Sequence, residues 1–149
     1  MKHLLLILCA ALIGFQGNAE NQKDPSHWRV IATKLDKSTY RVEFHVDIDK
    51  GWHIWTLNPG GDGSLIPPSF HFNTGKYTLV EGLGEQGISV QAVLGGIKDP
   101  AYFYPSGAMF TQSISAKKGT VITGTYTYQL CSNTLCMAPK TKPFKVKLP

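Results

Sequence analysis

Apolar and polar residues alternate with a period of two through most of the chain. In the segment "YRVEFHVDID", Val42, Phe44, Val46 and Ile48 fall on one face, and polar or charged residues fall on the other. Such alternation predicts a half-buried β-strand. No segment shows the 3.6-residue period of a helix. Further strands are predicted in "GWHIWTL", "PPSFHF", "YTLV", "ISVQAV", "AMFTQSIS", "TVITGTYTYQLC" and "PFKVKL".

Turn-forming residues separate these segments. Glycine-rich or polar stretches at 58–63, 81–87 and 117–119 predict turns. About eight strands at this spacing predict an all-β fold, an immunoglobulin-like antiparallel β-sandwich. The C-terminal "KPFKVKLP" alternates lysine with apolar residues, which is typical of an edge strand with one solvated face.

The N-terminus differs from the rest of the chain. A short basic start precedes the apolar run "LLLILCAALIGF", which is too short to span a bilayer, and "GNA" at 17–19 ends in a small residue. We therefore predict a secretory signal peptide at 1–19 and one domain at 20–149. A lipoprotein anchor at Cys9 is disfavoured, because Leu8 stands where a small residue is expected. The product is predicted to be exported to a compartment where disulfides can persist, with no membrane span of its own.

Charge and motifs exclude several classes of function. The net charge of +5 is mild and the basic residues are scattered, so no nucleic-acid partner is expected. The chain has no Gly-x-Ser-x-Gly elbow, no phosphate-binding loop and no His-Glu-x-x-His motif. No cofactor is predicted.

The candidate chemistry lies in "YQLCSNTLCMAPK". Cys131 ends a predicted strand, and "SNTL" between it and Cys136 is suited to a four-residue turn that would let the two cysteines meet. Three interpretations remain open on residue grounds: a structural disulfide, a redox-active pair, and a metal site. The metal site is the least favoured of the three, and no metal is predicted, because the possible further ligands His27, His45, His53 and His71 are not spaced as pairs and a lone methionine such as Met137 is more often a packing residue.

Three segments carry a resemblance to a known family. "YQLCSNTLCMAP", "GWHIWTLN" and "IPPSF" resemble the N-terminal periplasmic domain of the thiol:disulfide interchange protein DsbD, in a stand-alone form like that of Bacteroidetes. The resemblance implies an immunoglobulin-like domain that acts as a protein-disulfide reductase or electron relay. It implies a thioredoxin-like electron donor and exported disulfide-containing acceptors, including factors of cytochrome c biogenesis. Cys136 would form the mixed disulfide, and Cys131 would resolve it.

The resemblance also implies a cap loop over the cysteines. The matching stretch is "KDPAYFYPSG" at 98–107, where Tyr102, Phe103 and Tyr104 are the candidate cap residues and Phe103 is the best match. The alternative is that these aromatic residues belong to the core. Three consecutive aromatic residues cannot all face inward on a strand, so at least one is expected to be exposed or to cover a neighbour.

The sequence departs from the family pattern in three respects. Four residues separate the cysteines rather than five, and Ala101 and Tyr102 stand where acidic residues are found, which leaves Asp99 as the nearest carboxylate. The chain ends at Pro149 without the family's membrane and thioredoxin-like domains, so we expect a separate electron donor unless the chain is a fragment. The competing functions are a copper-handling protein and an exported binding module with a structural disulfide, whose candidate contact residues are Trp28, Trp52 and Trp55.

Overall fold

The computed structural model describes residues 23–93 and 99–149, and in these ranges the chain forms strands and no helix. The strands are β1 (Ser26–Lys34), β2 (Thr39–Ile48), β3 (His53–Gly60), β4 (Ser69–Phe72), β5 (Tyr77–Gln86), β6 (Val90–Ala92), β7 (Ala101–Tyr104), β8 (Gly107–Ala116), β9 (Val121–Tyr128), β10 (Leu130–Cys131) and β11 (Lys140–Lys147).

The strands form three antiparallel sheets. Their orders are β1-β2-β8-β5, β10-β3-β7-β6 and β11-β9-β4. Among the described strands, β11 pairs with β9 alone and lies at a sheet edge, which confirms the prediction for the C-terminal segment. The predicted fold class, an all-β immunoglobulin-like antiparallel sandwich, is confirmed.

The main core lies between the first sheet and the other two. The alternation in β2 buries Val42, Phe44, Val46 and Ile48, as the sequence predicts. Phe44 is fully buried, and its ring meets aromatic rings from β4, β9 and β11. Packing of alternate side chains from facing sheets is the usual way in which a β-sandwich forms its core.

Several strand bounds differ from the prediction. Strand β5 runs through the predicted turn at 81–87, with an irregularity in its pairing between Val80 and Gly84 that includes Glu81 at a φ of 66°. A β-bulge of this kind lets a strand continue through residues that would otherwise form a turn. Strand β3 extends to Gly60, which the sequence assigned to a turn, and β1 was not predicted at all.

The predicted signal peptide at 1–19 and Cys9 lie outside the described residues. In the part of the chain that the structure describes, no helix is long and apolar enough to cross a bilayer.

Asp24 fixes the start of the domain to β9 and β11. Its carboxylate accepts hydrogen bonds from the Ser26 hydroxyl at 2.6 Å, the Tyr128 hydroxyl at 2.5 Å and the Lys142 ammonium at 2.8 Å. Burial alone would raise the pKa of Asp24, but the hydrogen bonds from Lys142, Ser26 and Tyr128 outweigh it and hold the pKa well below its usual value.

This lowered pKa makes stability depend on acidity. A carboxyl whose folded pKa lies below its unfolded pKa stabilises the fold above the unfolded value, and that contribution is lost as the pH falls through the folded value. We therefore expect the free energy of unfolding to fall between about pH 5 and pH 2, and to fall less steeply in Asp24→Asn. Denaturant unfolding at a series of pH values measures both slopes. The exposed Asp47→Asn should keep the wild-type slope, and parallel curves for Asp24→Asn and wild type would contradict the assignment.

Candidate functional site

The two cysteines form a disulfide at the tip of a short hairpin. The Cys131–Cys136 S–S distance is 2.03 Å, and the two Cα atoms are 4.0 Å apart. The turn between them is closed by the Ser132 N–H, which donates to the Leu135 carbonyl at 2.7 Å, and beyond it the Met137 N–H donates to the Leu130 carbonyl at 2.9 Å. The four-residue turn predicted for "SNTL" is therefore present.

The two cysteines differ in exposure. Cys131 ends the buried strand β10 and is 1% exposed, whereas Cys136 lies in an exposed segment after the turn. Leu135, next to Cys136, is 48% exposed, and Met137 on its other side is buried in the main core. A protein thiol can thus approach Cys136 more readily than Cys131.

Strand β3 places two aromatic side chains on the same face of the sheet as Cys131. In the antiparallel ladders His53 stands opposite Cys131, and Trp55 stands opposite Phe103. Residues two apart on a strand share a face, and directly opposite residues have Cβ atoms about 4.5–5.5 Å apart. Leu65 and Ala101 pack on the four residues of these two ladder positions. We call all six residues the cysteine cluster: His53, Trp55, Leu65, Ala101, Phe103 and Cys131.

The opposite face of the same sheet belongs to the main core. Ile54, Tyr104 and Leu130 alternate with the cluster residues along β3, β7 and β10 and are buried. Burial and the nearby carboxylate of Glu85 raise the pKa of Tyr104 to about 12, so its phenol stays protonated. The sheet therefore separates the main core from the cysteine cluster.

The loop after β3 supplies Leu65 to the cluster. It leaves the sheet at Gly60, whose φ of 72° lies in the left-handed region and whose α-carbon faces the Pro100 carbonyl too closely for a larger residue to fit easily. The Gly61 N–H donates to the same carbonyl at 3.2 Å. These contacts join the loop to the segment before β7, beside the cluster.

His53 is the ionisable side chain in contact with the cluster's aromatic rings. It is 3% exposed, and its ring centroid lies 4.3 Å from that of Phe103 and 5.0 Å from that of Trp55. Burial lowers the pKa of His53 to about 4, so the imidazole is neutral near pH 7. The His53 Nε2 and Trp55 Nε1 atoms are both buried without a hydrogen-bond partner among the described residues.

The three candidate cap residues form strand β7 rather than a loop. Alternation along the strand separates them: Tyr102 is 41% exposed, Phe103 is half-buried within the cysteine cluster, and Tyr104 is buried in the main core. Phe103 is therefore the one of the three that the structure places in the same cluster as a cysteine. Residues 94–98 lie outside the described ranges, so the first residue of the predicted cap stretch is among those not described.

The position of the family's acidic residues holds no carboxylate here. Ala101 is fully buried in the cluster, and Asp99 is exposed before β7 begins. The sequence does not predict Leu65 as a site residue, and it offers Trp55 only as a contact residue of a binding module and His53 only as a metal ligand. The alternation in "HIW" placed His53 and Trp55 on one face, but the ladder that brings them to Cys131 is not visible in the sequence.

The other candidate residues take up structural positions. His27 lies 3.0 Å from an Asp49 carboxylate oxygen, and His45 lies 2.9 Å from that of Glu43. Within ranges 23–93 and 99–149, no group of three His, Cys, Asp or Glu side chains is arranged to hold a metal. The tryptophans pack inward, Trp28 and Trp52 against the main core and Trp55 in the cysteine cluster.

Comparison with solved structures supports the fold. The chain is similar to the N-terminal periplasmic domain of ScsB from Proteus mirabilis, with 17% identity, a TM-score of 0.62, and coverage of 86% of this chain and 47% of that one. It thus spans about half of that relative's length. More distant similarity extends to the N-terminal domain of DsbD from Neisseria meningitidis (16% identity, TM-score 0.42, covering 79% of this chain and 83% of that one) and the GAE domain of GGA2p from Saccharomyces cerevisiae (13%, 0.47, 87% and 93%).

Sequence comparison identifies the family. A search of curated protein sequences gave no significant match. The family model for the N-terminal domain of the thiol:disulfide interchange protein DsbD matches residues 23–148, which include both cysteines of the disulfide and every residue of the cysteine cluster. The chain therefore belongs to the DsbD N-terminal domain family.

Proposed function

We propose that this domain relays electrons between proteins through the Cys131–Cys136 disulfide. The observation that carries the proposal is the unequal exposure of the two cysteines, in a chain that belongs to a thiol:disulfide interchange family. Exchange needs one sulfur that a partner's thiolate can reach. The exposed Cys136 meets that need, and the buried Cys131 is suited to be the second sulfur.

The proposed reaction consists of two exchange steps in each direction. A donor thiolate attacks the Cys136 sulfur, the Cys131–Cys136 bond breaks, and Cys131 leaves with the electron pair. The donor's second thiolate then attacks the sulfur of the donor's first cysteine in this mixed disulfide and releases Cys136. The domain thereby gains two electrons and, with two protons from solvent, becomes a dithiol. With an acceptor disulfide the steps reverse: Cys136 attacks, and Cys131 resolves the mixed disulfide.

A purely structural disulfide is a weaker explanation of the same pair. In the chain-entropy model, closing a loop of six residues stabilises a fold by only about 2 kcal/mol, compared with about 4.7 kcal/mol for a loop of a hundred. The main core is continuous without the pair, since its aromatic contacts join the first sheet to the third. The hairpin is thus a poor position for a stabilising cross-link and a suitable position for a reactive one.

The partners and compartment follow from the same proposal. We infer a thioredoxin-like electron donor and exported acceptors that contain disulfides, with a route to cytochrome c biogenesis. The domain would act in the periplasm, reached through a signal peptide at 1–19. The cap role of Phe103 is part of the proposal and is supported by its packing against the cluster that contains Cys131.

Single-cysteine variants test the assignment of the two sulfurs. The probe is a thioredoxin-like protein that carries only its exposed cysteine, activated as a mixed disulfide with thionitrobenzoate. We expect reduced Cys131→Ala to release thionitrobenzoate and to form a stable protein–protein disulfide, because Cys136 is exposed. We expect Cys136→Ala to react far more slowly, because Cys131 is buried.

Cys9→Ala in both variants restricts the reaction to the chosen thiol, since the chain has three cysteines. Non-reducing electrophoresis and thionitrobenzoate absorbance measure the product. Preferential trapping by Cys136→Ala would reverse the two roles. No trapping by either variant would oppose the exchange function itself.

A further inference from the structure

The cysteine cluster contains two buried polar atoms that the disulfide form leaves unsatisfied. His53 Nε2 and Trp55 Nε1 have no hydrogen-bond partner among the described residues, although His53 is 3% and Trp55 is 1% exposed. Buried polar groups are satisfied in the great majority of cases, so two such atoms side by side require an explanation. Both residues lie on the face of β3 that meets Cys131.

We propose that the ring N–H groups of His53 and Trp55 donate hydrogen bonds to the Cys131 sulfur when it carries negative charge during exchange. This proposal rests on the exchange function proposed above and adds two residues to it. It assigns to His53 the neutral tautomer with its hydrogen on Nε2, whereas the indole nitrogen of Trp55 is always a donor. A disulfide sulfur is a weak acceptor and a thiolate is a strong one, so these donors would be used in the reaction and not in the resting form.

The proposed step has a definite charge balance. In the mixed disulfide between Cys136 and a partner, the Cys131 thiol gives its proton to water, and its thiolate attacks the Cys136 sulfur. The new Cys131–Cys136 bond forms, the partner's sulfur leaves with the electron pair, and that thiolate takes a proton from water. Two electrons have then passed to the partner. In the reverse direction Cys131 is the leaving group. Its sulfur therefore carries negative charge before the attack in one direction and after it in the other.

The surroundings of Cys131 offer this charge little other support. Side chains that pack with Cys131 are apolar or aromatic: Trp55, Leu65, Ala101 and Phe103. The titratable groups on the packed elements are His53 on β3, Tyr102 and Tyr104 on β7, and Asp62 in the loop that carries Leu65. Tyr104 faces the main core, Tyr102 lies on the same alternating face as Tyr104 and is largely exposed, and Asp62 is exposed and bonded to Ser64.

A neutral donor suits such a site better than a charged one. Burial keeps the pKa of His53 near 4, so the imidazole does not bring an uncompensated positive charge into the resting cluster. The arrangement is similar in principle to an oxyanion hole, in which donors fixed in an apolar site face the atom where negative charge develops. Here the atom is a sulfur.

The expected effect of removing one donor follows from two opposing terms. A hydrogen bond to a charged group raises the thiolate population by about 10- to 100-fold. The bound thiolate is also less nucleophilic, with a Brønsted slope of about 0.5, which cancels about half of that gain on a logarithmic scale. Loss of one donor should therefore slow the resolving step by about 3- to 10-fold.

The test separates resolution from the first attack. Fully reduced protein carrying Cys9→Ala is mixed with excess 4,4′-dithiodipyridine, which releases one thiopyridone on attack and a second on resolution. We expect His53→Phe and Trp55→Phe each to slow the second, concentration-independent phase by about 3- to 10-fold at neutral pH, with the first phase unchanged. His53→Gln keeps an N–H donor and should recover part of the rate.

Matched substitutions elsewhere control for the loss of each ring type. His71→Phe replaces an exposed histidine on β4, and Trp28→Phe replaces a tryptophan whose ring nitrogen already donates to Ser26. Both should keep wild-type kinetics. Because the His53 nitrogen is unpartnered in the disulfide form, oxidised His53→Phe should unfold at the wild-type temperature or above it.

The outcomes distinguish this proposal from the function on which it rests. The wild-type protein is expected to show both phases of thiopyridone release. If His53→Phe and Trp55→Phe leave the rate of the second phase unchanged, or slow both phases equally, the donor role is wrong and the proposed exchange function is unaffected. If His53→Phe does not fold, Trp55→Phe and His53→Gln decide the question by the same measurements. If the wild-type protein releases no thiopyridone in the second phase, exchange through the pair fails, and the donor role fails with it.

Discussion

Phe44→Ala should destabilise the domain by about 3–5 kcal/mol, because it removes a fully buried aromatic ring from the centre of the core. The Phe44 ring centroid lies 4.5 Å from that of Phe70 on β4 and 4.9 Å from that of Phe144 on β11. These contacts join the first sheet to the third. Neighbouring rings on separate strands cannot close the resulting cavity without moving the sheets, so most of the cost should remain.

Thermal and denaturant unfolding of the oxidised protein measure this effect. For a domain of this size the loss corresponds to a fall of about 10–20 °C in the unfolding midpoint. Phe44→Leu keeps most of the apolar volume and should cost less than about 1.5 kcal/mol. A loss below about 1 kcal/mol in Phe44→Ala would show that Phe44 does not join the sheets as the packing indicates.

The strands that the sequence predicted well are those that bury one face along their whole length. Strand β2 alternates without interruption from Tyr40 to Ile48, and β9 does so from Ile122 to Tyr128. In each case the alternation of apolar and polar residues shows which face of the strand is buried, so the sequence alone is sufficient to predict the strand. Strand β1 also places Trp28, Val30 and Ala32 on its buried face, but the apolar Ile31 between Val30 and Ala32 interrupts the alternation, so the sequence pattern does not predict this strand.

The sequence predicts too short a strand β5, because the second half of this strand depends on contacts with its neighbour β8. The glycines in "EGLGEQG" predict a turn when taken locally. In the structure Gln112 of β8 donates through its side-chain amide to the carbonyls of Val80 and Glu81, and this contact supports the irregular part of the strand. A hydrogen bond to a residue some thirty positions away leaves no signal in a local pattern.

The cysteine pair could be predicted because it is local, whereas its environment could not. Four residues and a turn bring Cys131 and Cys136 together, and that spacing is visible in the sequence. The unequal exposure of the two cysteines depends on the pairing of β10 with β3, which joins Cys131 to His53 across a long sequence separation. The resemblance pointed to Phe103, and its place beside the cluster arises from the pairing of β7 with β3.

Phe103→Ala should expose the Cys131 sulfur to small reagents at little cost in stability. The Phe103 ring lies against His53 and edge-on to Trp55, with centroids 6.2 Å apart in the second pair. Each such aromatic contact is worth about 0.5–1.5 kcal/mol, so two together, at about 1–3 kcal/mol, bias the cluster towards its closed form by about 5- to 150-fold. Without them, a reagent that reaches Cys131 only in the open form should react at least about fivefold faster.

The measurement uses reduced protein in a Cys136→Ala background, where Cys131 is the one thiol of the pair. Iodoacetamide labelling of the peptide containing Cys131, followed over time by mass spectrometry, gives the rate and excludes the signal from Cys9. Because Phe103 is only half-buried, its loss should cost about 1–2 kcal/mol, well below the value for a core ring. Tyr102→Ala, at the exposed position next to it on β7, should leave the labelling rate unchanged.

The comparison with Phe44→Ala makes the test decisive, since the two variants remove the same side chain from different surroundings. Phe44→Ala should lower stability strongly and leave Cys131 labelling of the folded protein slow, whereas Phe103→Ala should do the reverse. If Phe103→Ala lowers stability as much as Phe44→Ala and labelling stays slow, Phe103 is a core residue. If labelling is fast and stability nearly unchanged, Phe103 covers the buried sulfur, and the disulfide is a reactive pair whose inner cysteine is shielded.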